Sequence, residues 1–151
     1  MKEYISWNDI DKAVDKMVDY YKKRKFNCDA IVGIPRGGLT LASMLSYRLD
    51  IPLYLAKDYR LVLNDKYLSP PKARQFLIVD DIADTGKTLN DNCTSDDIIF
   101  TIHYHKQSTV VPDFYVSEKK DKWIVYPWES KDSEAIQDYL KPFDKEKLNN
   151  E

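Results

Sequence analysis

A chain of 151 residues with 43% hydrophobic and 32% charged residues has the balance of one compact globular unit, neither disordered nor fibrous. Its net charge of −2 leaves no broad basic field for nucleic acid, and Lys22-Lys23-Arg24-Lys25 reads as the solvated end of a helix. No apolar run nears the roughly 18 residues that span a bilayer, and Met1-Lys2-Glu3-Tyr4 is too polar for a signal peptide, so a cytoplasmic chain with no membrane-spanning segment is expected.

Ser6-Trp7-Asn8-Asp9 opens the first element, an N-cap serine with an acidic residue three positions on. Ile10, Ala13, Val14, Met17, Val18 and Tyr21 follow at helical spacing and predict one apolar stripe. Ala30-Ile31-Val32-Gly33-Ile34 reads as a buried strand, which Pro35-Arg36-Gly37-Gly38 breaks. Leu39, Leu41, Ala42, Met44, Leu45 and Leu49 predict a second helix that stops before Ile51-Pro52, with Pro52-Leu53-Tyr54-Leu55 as another strand. Residues 57–75 are polar, tyrosine-rich and interrupted by Pro70-Pro71, and are expected to be functional or mobile.

Phe76-Leu77-Ile78-Val79 is the strongest strand signal and runs straight into Asp80-Asp81. A short helix near residues 88–92 precedes a strand at Ile98-Ile99-Phe100-Thr101-Ile102. Phe114-Tyr115-Val116 and Trp123-Ile124-Val125-Tyr126 are smaller strand candidates, and residues 130–140 predict a last helix. One domain over residues 1–140 and a frayed tail over 141–151 are expected. Alternating strands and helices predict an α/β fold with a mostly parallel twisted sheet flanked by helices. Cys28 and Cys93 have no CxxC spacing and read as incidental thiols.

The chemistry concentrates in Leu77-Ile78-Val79-Asp80-Asp81-Ile82-Ala83-Asp84-Thr85-Gly86-Lys87-Thr88-Leu89. An apolar strand delivers three carboxylates and then a small, hydroxylated loop that opens a helix, and open α/β sheets bind ligands beyond the carboxyl ends of their strands. Unpaired N–H groups at residues 84–88 suit a phosphate, with hydroxyls from Thr85 and Thr88 and close approach at Gly86. Asp80 and Asp81 suit ribose hydroxyls and a hard cation. Gly86-Lys87-Thr88 imitates the end of a Walker A loop, but position 81 is aspartate where that motif needs glycine. An acidic turn that merely caps a helix would leave three carboxylates repelling one another. Pro35-Arg36-Gly37-Gly38 offers glycine amides and a guanidinium to a second anion, or is only a tight strand-to-helix turn.

These residues resemble the PRPP-binding motif of type I phosphoribosyltransferases: four apolar residues, two acidic ones, then a loop of Asp-Thr-Gly-X-Thr type. Gly33-Ile34-Pro35-Arg36-Gly37-Gly38-Leu39 is similar to that family's pyrophosphate loop. The residues from Tyr4 to Asp9, Lys106, and Trp123-Ile124-Val125-Tyr126-Pro127-Trp128-Glu129 resemble its bacterial xanthine-guanine branch. The likeness runs in order to about Leu140. It implies the type I fold with a small hood region, PRPP as co-substrate, Mg²⁺ held at Asp81, and transfer to a 6-oxopurine. It further implies a cis peptide at Pro35–Arg36, pyrophosphate on Arg36 and Gly37, and the 5′-phosphate on Asp84, Thr85, Gly86, Lys87 and Thr88. Asp80 and Asp81 would face the ribose, and Asp84 would handle the proton on purine N7. Lys106 would donate to the 6-oxo group, Trp123 would stack on the base, and main-chain groups at Trp123 and Ile124 would read its edge. Relatives are usually dimers or tetramers, so a homo-oligomer is expected.

Alone, Lys106 would read as a surface charge and Trp123 as core. His103 and His105 share one side of a strand, but two histidines do not make a zinc site, and surface positions are expected for both. The chain departs from the bacterial pattern at Gln107, where proline stands, and at Val125, where an acidic residue stands. Asp58-Tyr59 lies near the family's Ser-Tyr closing pair without the serine. Segment 57–75 would close over the site and exclude water. A PRPP-sensing regulator that keeps the motif, or a transferase for another base, are the competing expectations.

Overall fold

The structure, a computed structural model, describes residues 1–56 and 75–132. Helix α1 (Trp7–Lys23) starts where the sequence asks it to: the Asp9 amide donates to Ser6 Oγ at 3.1 Å, and the Ser6 amide donates to the Asp9 carboxylate at 2.9 Å. All six residues of the predicted stripe are buried. Strand β2 (Ala30–Gly33) leads into α2 (Gly38–Leu49), which ends on Asp50 in the left-handed conformation, φ 53°, before β3 (Leu53–Leu55). Strand β4 (Phe76–Ala83), helix α3 (Lys87–Asn92), β5 (Ile98–Tyr104), β6 (Phe114–Glu118) and β7 (Trp123–Val125) complete the described elements.

Five strands form one parallel sheet in the order β3-β2-β4-β5-β6. The period of two along the strands sorts the core into two layers. Ile31, Leu77, Val79, Phe100 and Ile102 face the α1 stripe and Leu41, Ala42 and Leu45 of α2. Ala30, Val32, Phe76, Ile78 and Ile99 face the other way and pack with Leu89 of α3. Both faces are therefore covered, as near-continuous apolar strands require. No helix among the described residues is long and apolar enough to cross a membrane.

Two features differ from the sequence reading. Residues before the first helix, to which the sequence assigned no element, form a strand, β1 (Lys2–Tyr4), which pairs in parallel with β7 through Lys2 opposite Trp123 and Tyr4 opposite Val125. All three β1 residues are exposed, so no alternation marks them. β4 also runs four residues past the apolar stretch, because β5 keeps pairing with it as far as Ala83 opposite Tyr104. Residues 57–74 of the expected closing segment, residues 133–140 of the expected last helix, and the tail 141–151 lie outside the described residues.

Candidate active site

β4 outruns its neighbour. The β2–β4 ladder ends at Gly33 opposite Val79, so Asp80 and Asp81 sit on a strand end that keeps β5 but has lost β2. The acids thus lie within the strand rather than beyond it. The space above β2 is taken by the start of α2. A Cβ on Gly38 would strike the Val79 carbonyl, and one on Gly37 would strike the Asp81 carboxylate. Only glycines let that turn come so close. The Pro35–Arg36 peptide is cis, as the resemblance implied.

Across from this turn, Gly86 takes φ 85° and starts α3, with the Asn90 amide donating to its carbonyl at 2.8 Å. Its Cα is backed by the loop after β5, where Thr109 N donates to the Thr85 carbonyl at 3.0 Å. Between the two loops opens a cavity of about 710 Å³, within the usual range for small-molecule sites. Of the residues singled out in the sequence, Arg36, Gly37, Asp80, Asp81, Asp84, Thr85, Gly86, Thr88, Trp123 and Ile124 line it. Lys87 does not; its ammonium pairs with Asp91 one turn on, at 2.9 Å. Nor does Lys106, whose side chain is 78% exposed and pairs with Glu118 at 3.2 Å.

The two acids are electrostatically loaded. Asp80 is 8% exposed, and burial together with the neighbouring Asp81 charge holds its carboxyl well above the usual range. Burial also raises Asp81, and the charge of Glu129 adds to the effect. A divalent cation would relieve this repulsion. No group of three or more acid, histidine or cysteine ligands occurs among the described residues. Two carboxylates without a protein cage fit an ion such as Mg²⁺, which keeps water and substrate oxygens for most of its ligands.

Asp84 is in a different state. Burial favours its neutral form, but the Lys119 charge and hydrogen bonds from Gln107 and His105 outweigh it and hold the carboxyl below its usual range. His105 Nδ1 and Gln107 Nε2 each stand 2.9 Å from Oδ1, and Lys119 Nζ is 3.4 Å from both oxygens. Asp84 is therefore an ionised, oriented acceptor.

His103 and His105 are not surface residues. His105 serves Asp84, while His103 is 6% exposed and its Nδ1 meets the Tyr126 hydroxyl at 2.7 Å. That hydroxyl also donates to the Asp81 carbonyl at 3.1 Å. Both contacts hold together if His103 carries its proton on Nδ1 and donates it to Tyr126. Burial pulls the His103 pKa down to about 4, so the ring stays neutral. Tyr126 stacks on Trp128, centroids 5.0 Å apart, and both line the cavity. Trp123 is fixed at main-chain level, its amide donating to the Met1 carbonyl at 3.1 Å, so that amide is not open to a base edge.

Lys119, Tyr126, Trp128 and Glu129 line the cavity without having been singled out by role. Lys119 sits in the run Lys119-Lys120-Asp121-Lys122, where nothing local distinguishes it from a solvated charge. Only its ladder bond, amide to the Tyr104 carbonyl at 2.8 Å, aims it inward.

A phosphoribosyl transferase domain model matches residues 3–133. The chain belongs to the phosphoribosyltransferase family. It is 31% identical to the xanthine-guanine phosphoribosyltransferase of Cereibacter sphaeroides, with 93% of this chain and 91% of that one aligned. It is 35% identical to the orotate phosphoribosyltransferase of Sulfurisphaera tokodaii, over 54% of this chain but only 40% of that enzyme's length. Among solved structures it is similar to the purine phosphoribosyltransferase of Pyrococcus horikoshii Ot3, with a TM-score of 0.69, 30% identity, and 90% of this chain and 99% of that one covered. Membership makes the chain a PRPP-dependent pentosyltransferase with the family's parallel sheet and flanking helices.

Proposed function

We propose that this phosphoribosyltransferase moves the 5-phosphoribosyl group of PRPP onto a 6-oxopurine (guanine, xanthine or hypoxanthine). It releases pyrophosphate and forms the nucleoside 5′-monophosphate, a purine-salvage reaction. One observation carries the reading. The acidic overhang of β4, the loop residues Asp84, Thr85, Gly86 and Thr88, and the Arg36-Gly37 turn line a single cavity that Trp123 also lines. The similarity to the Cereibacter sphaeroides enzyme along nearly the whole chain supports an oxopurine as acceptor.

In this reading the loop at Asp84, Thr85, Gly86 and Thr88 holds the 5′-phosphate, and Arg36 with Gly37 holds the pyrophosphate. Asp80 and Asp81 face the ribose hydroxyls. Purine N9 forms the bond to the anomeric carbon, and the electrons of the C1–O bond leave with pyrophosphate through a transition state of oxocarbenium character. The proton on N7 becomes acidic as that bond forms, and the ionised Asp84 accepts it. Mg²⁺, held by Asp81 and substrate oxygens, would offset the charge of the departing pyrophosphate. Positioning and electrostatics supply the rest of the rate. Cytoplasmic residence and a homo-oligomer belong to the same reading.

Spectrophotometric assays with PRPP and Mg²⁺ should show turnover on at least one of guanine, xanthine and hypoxanthine. A second acceptor class, a pyrimidine such as orotate, draws on the partial match to the Sulfurisphaera tokodaii enzyme. Turnover on orotate and on none of the oxopurines would replace the first reading with the second. PRPP binding without turnover on any base would point to a PRPP sensor.

A further inference from the structure

Lys106 and Lys119 compete for one task, and the geometry separates them. β6 pairs with β5 through Tyr104 opposite Glu118, and the Lys119 amide extends that ladder onto the Tyr104 carbonyl at 2.8 Å. Because successive side chains on a strand point to opposite faces, Glu118 and Lys119 diverge. Glu118 takes Lys106 with it to the outside, where the two pair at 3.2 Å with the lysine 78% exposed. Lys119 turns in. Its side chain is 13% exposed, lines the cavity, and holds Nζ 5.7 Å from the centre of the Trp123 ring.

We propose that Lys119, rather than Lys106, reads the 6-substituent of the base. The proposal rests on the oxopurine reading above and names the residue that makes the choice. A base stacked on Trp123 lies about 3.5–4 Å from the indole, the usual contact distance between ring carbons. The rim of such a base comes within a side-chain pivot of an ammonium 5.7 Å from the same ring centre. Lys119 Nζ has three donors and no acceptor. Asp84 receives it at 3.4 Å to both oxygens, a loose contact that engages one side of the ammonium. A 6-oxo group accepts one of the remaining N–H groups. A 6-amino group would meet a donor with a donor, beside a lysine whose side chain is only 13% exposed. The same contact ties recognition to chemistry, because the lysine that greets the oxo group also steadies the carboxylate proposed to take the N7 proton.

The test compares Lys119→Met, Lys119→Arg and Lys106→Met with the wild-type enzyme, using hypoxanthine and adenine as acceptors and calorimetry for PRPP. Lys119→Met should lose on the order of a hundredfold or more in kcat/KM for hypoxanthine, and its preference for hypoxanthine over adenine should collapse. PRPP affinity should move far less. Lys119→Arg, which restores donors and charge, should recover part of the preference. A role confined to orienting Asp84 would lower both bases together and leave their ratio intact, which overturns the proposal. So does a hundredfold loss in Lys106→Met with Lys119→Met near wild type. Inactivity of the wild-type enzyme on every oxopurine, with turnover on another base, removes the functional reading itself and is distinct from either result.

Discussion

The end of the cavity proposed to hold the phosphate comes from one stretch, Asp80 to Thr88, whereas the end proposed to hold the base gathers Lys119, Trp123, Tyr126 and Trp128 from the residue after β6, from β7 and from the turn after β7. At the phosphate end the main chain does most of the positioning: a strand that outlasts its neighbour, a glycine at φ 85°, and a short helix. At the base end each group is held by a partner far away in sequence. Trp123 hangs on the Met1 carbonyl, Lys119 on Tyr104, and Tyr126 on His103 and Asp81. Changes at the first end should therefore strike substrate binding and turnover directly. Changes at the second should strike specificity, and stability with it.

The largest effect is expected where the two ends meet, at Asp84. Asp84→Asn should cut kcat by about 10²–10⁴-fold, the usual worth of a positioned proton acceptor, while PRPP affinity by calorimetry changes little. Unchanged turnover would remove the carboxylate from the chemistry. At the phosphate end, Gly86→Ala forces a side chain into the left-handed region, with its Cβ 2.6 Å from Thr109 Oγ1 and 2.8 Å from Thr109 N. A cost of about 2 kcal/mol is expected, seen as weaker PRPP binding and a lower urea midpoint. A variant with wild-type values for both would show that the loop can yield.

The base end is tested by pH. The ring of His103, held at about 4 in the fold by burial, would bind a proton near 6.5 in the unfolded chain. As pH falls from about 6.5 toward 4, the unfolded state gains protons that the folded state refuses, so stability drops, and the loss levels off below 4. At pH 5 this amounts to about 2 kcal/mol. Urea titrations at pH 7.5 and pH 5 should show wild type losing about that much more than His103→Asn, and equal losses would contradict a buried neutral ring. The smallest effect belongs to a site remote from both ends: Ser6→Ala should cost about 1 kcal/mol through the lost α1 cap, with kcat/KM untouched.

The same contrast explains what the sequence could disclose. Ser6 and Asp9, the stripe from Ile10 to Tyr21, and the apolar runs of β2, β4 and β5 were legible because caps and periodicity are local. The 80–88 motif was legible for the same reason, and so was Gly37-Gly38. Strand β1 was not, since its three exposed residues become a strand only beside β7. His103 and His105 read as surface histidines because a strand pattern does not say that Tyr126 and Asp84 wait for them. Lys119 hides in a run of charges, and only the β5–β6 register turns it toward the cavity while sending Lys106 out.

In the proposed function, the acidic overhang of β4 and the loop after it clasp a sugar phosphate whose base rests on Trp123. A crystal structure with inosine 5′-monophosphate tests it most directly. The phosphate is expected on the main-chain amides of residues 85–88, the ribose hydroxyls at Asp80 and Asp81, and the base against the indole. A nucleotide bound elsewhere, with that loop left empty, would contradict it.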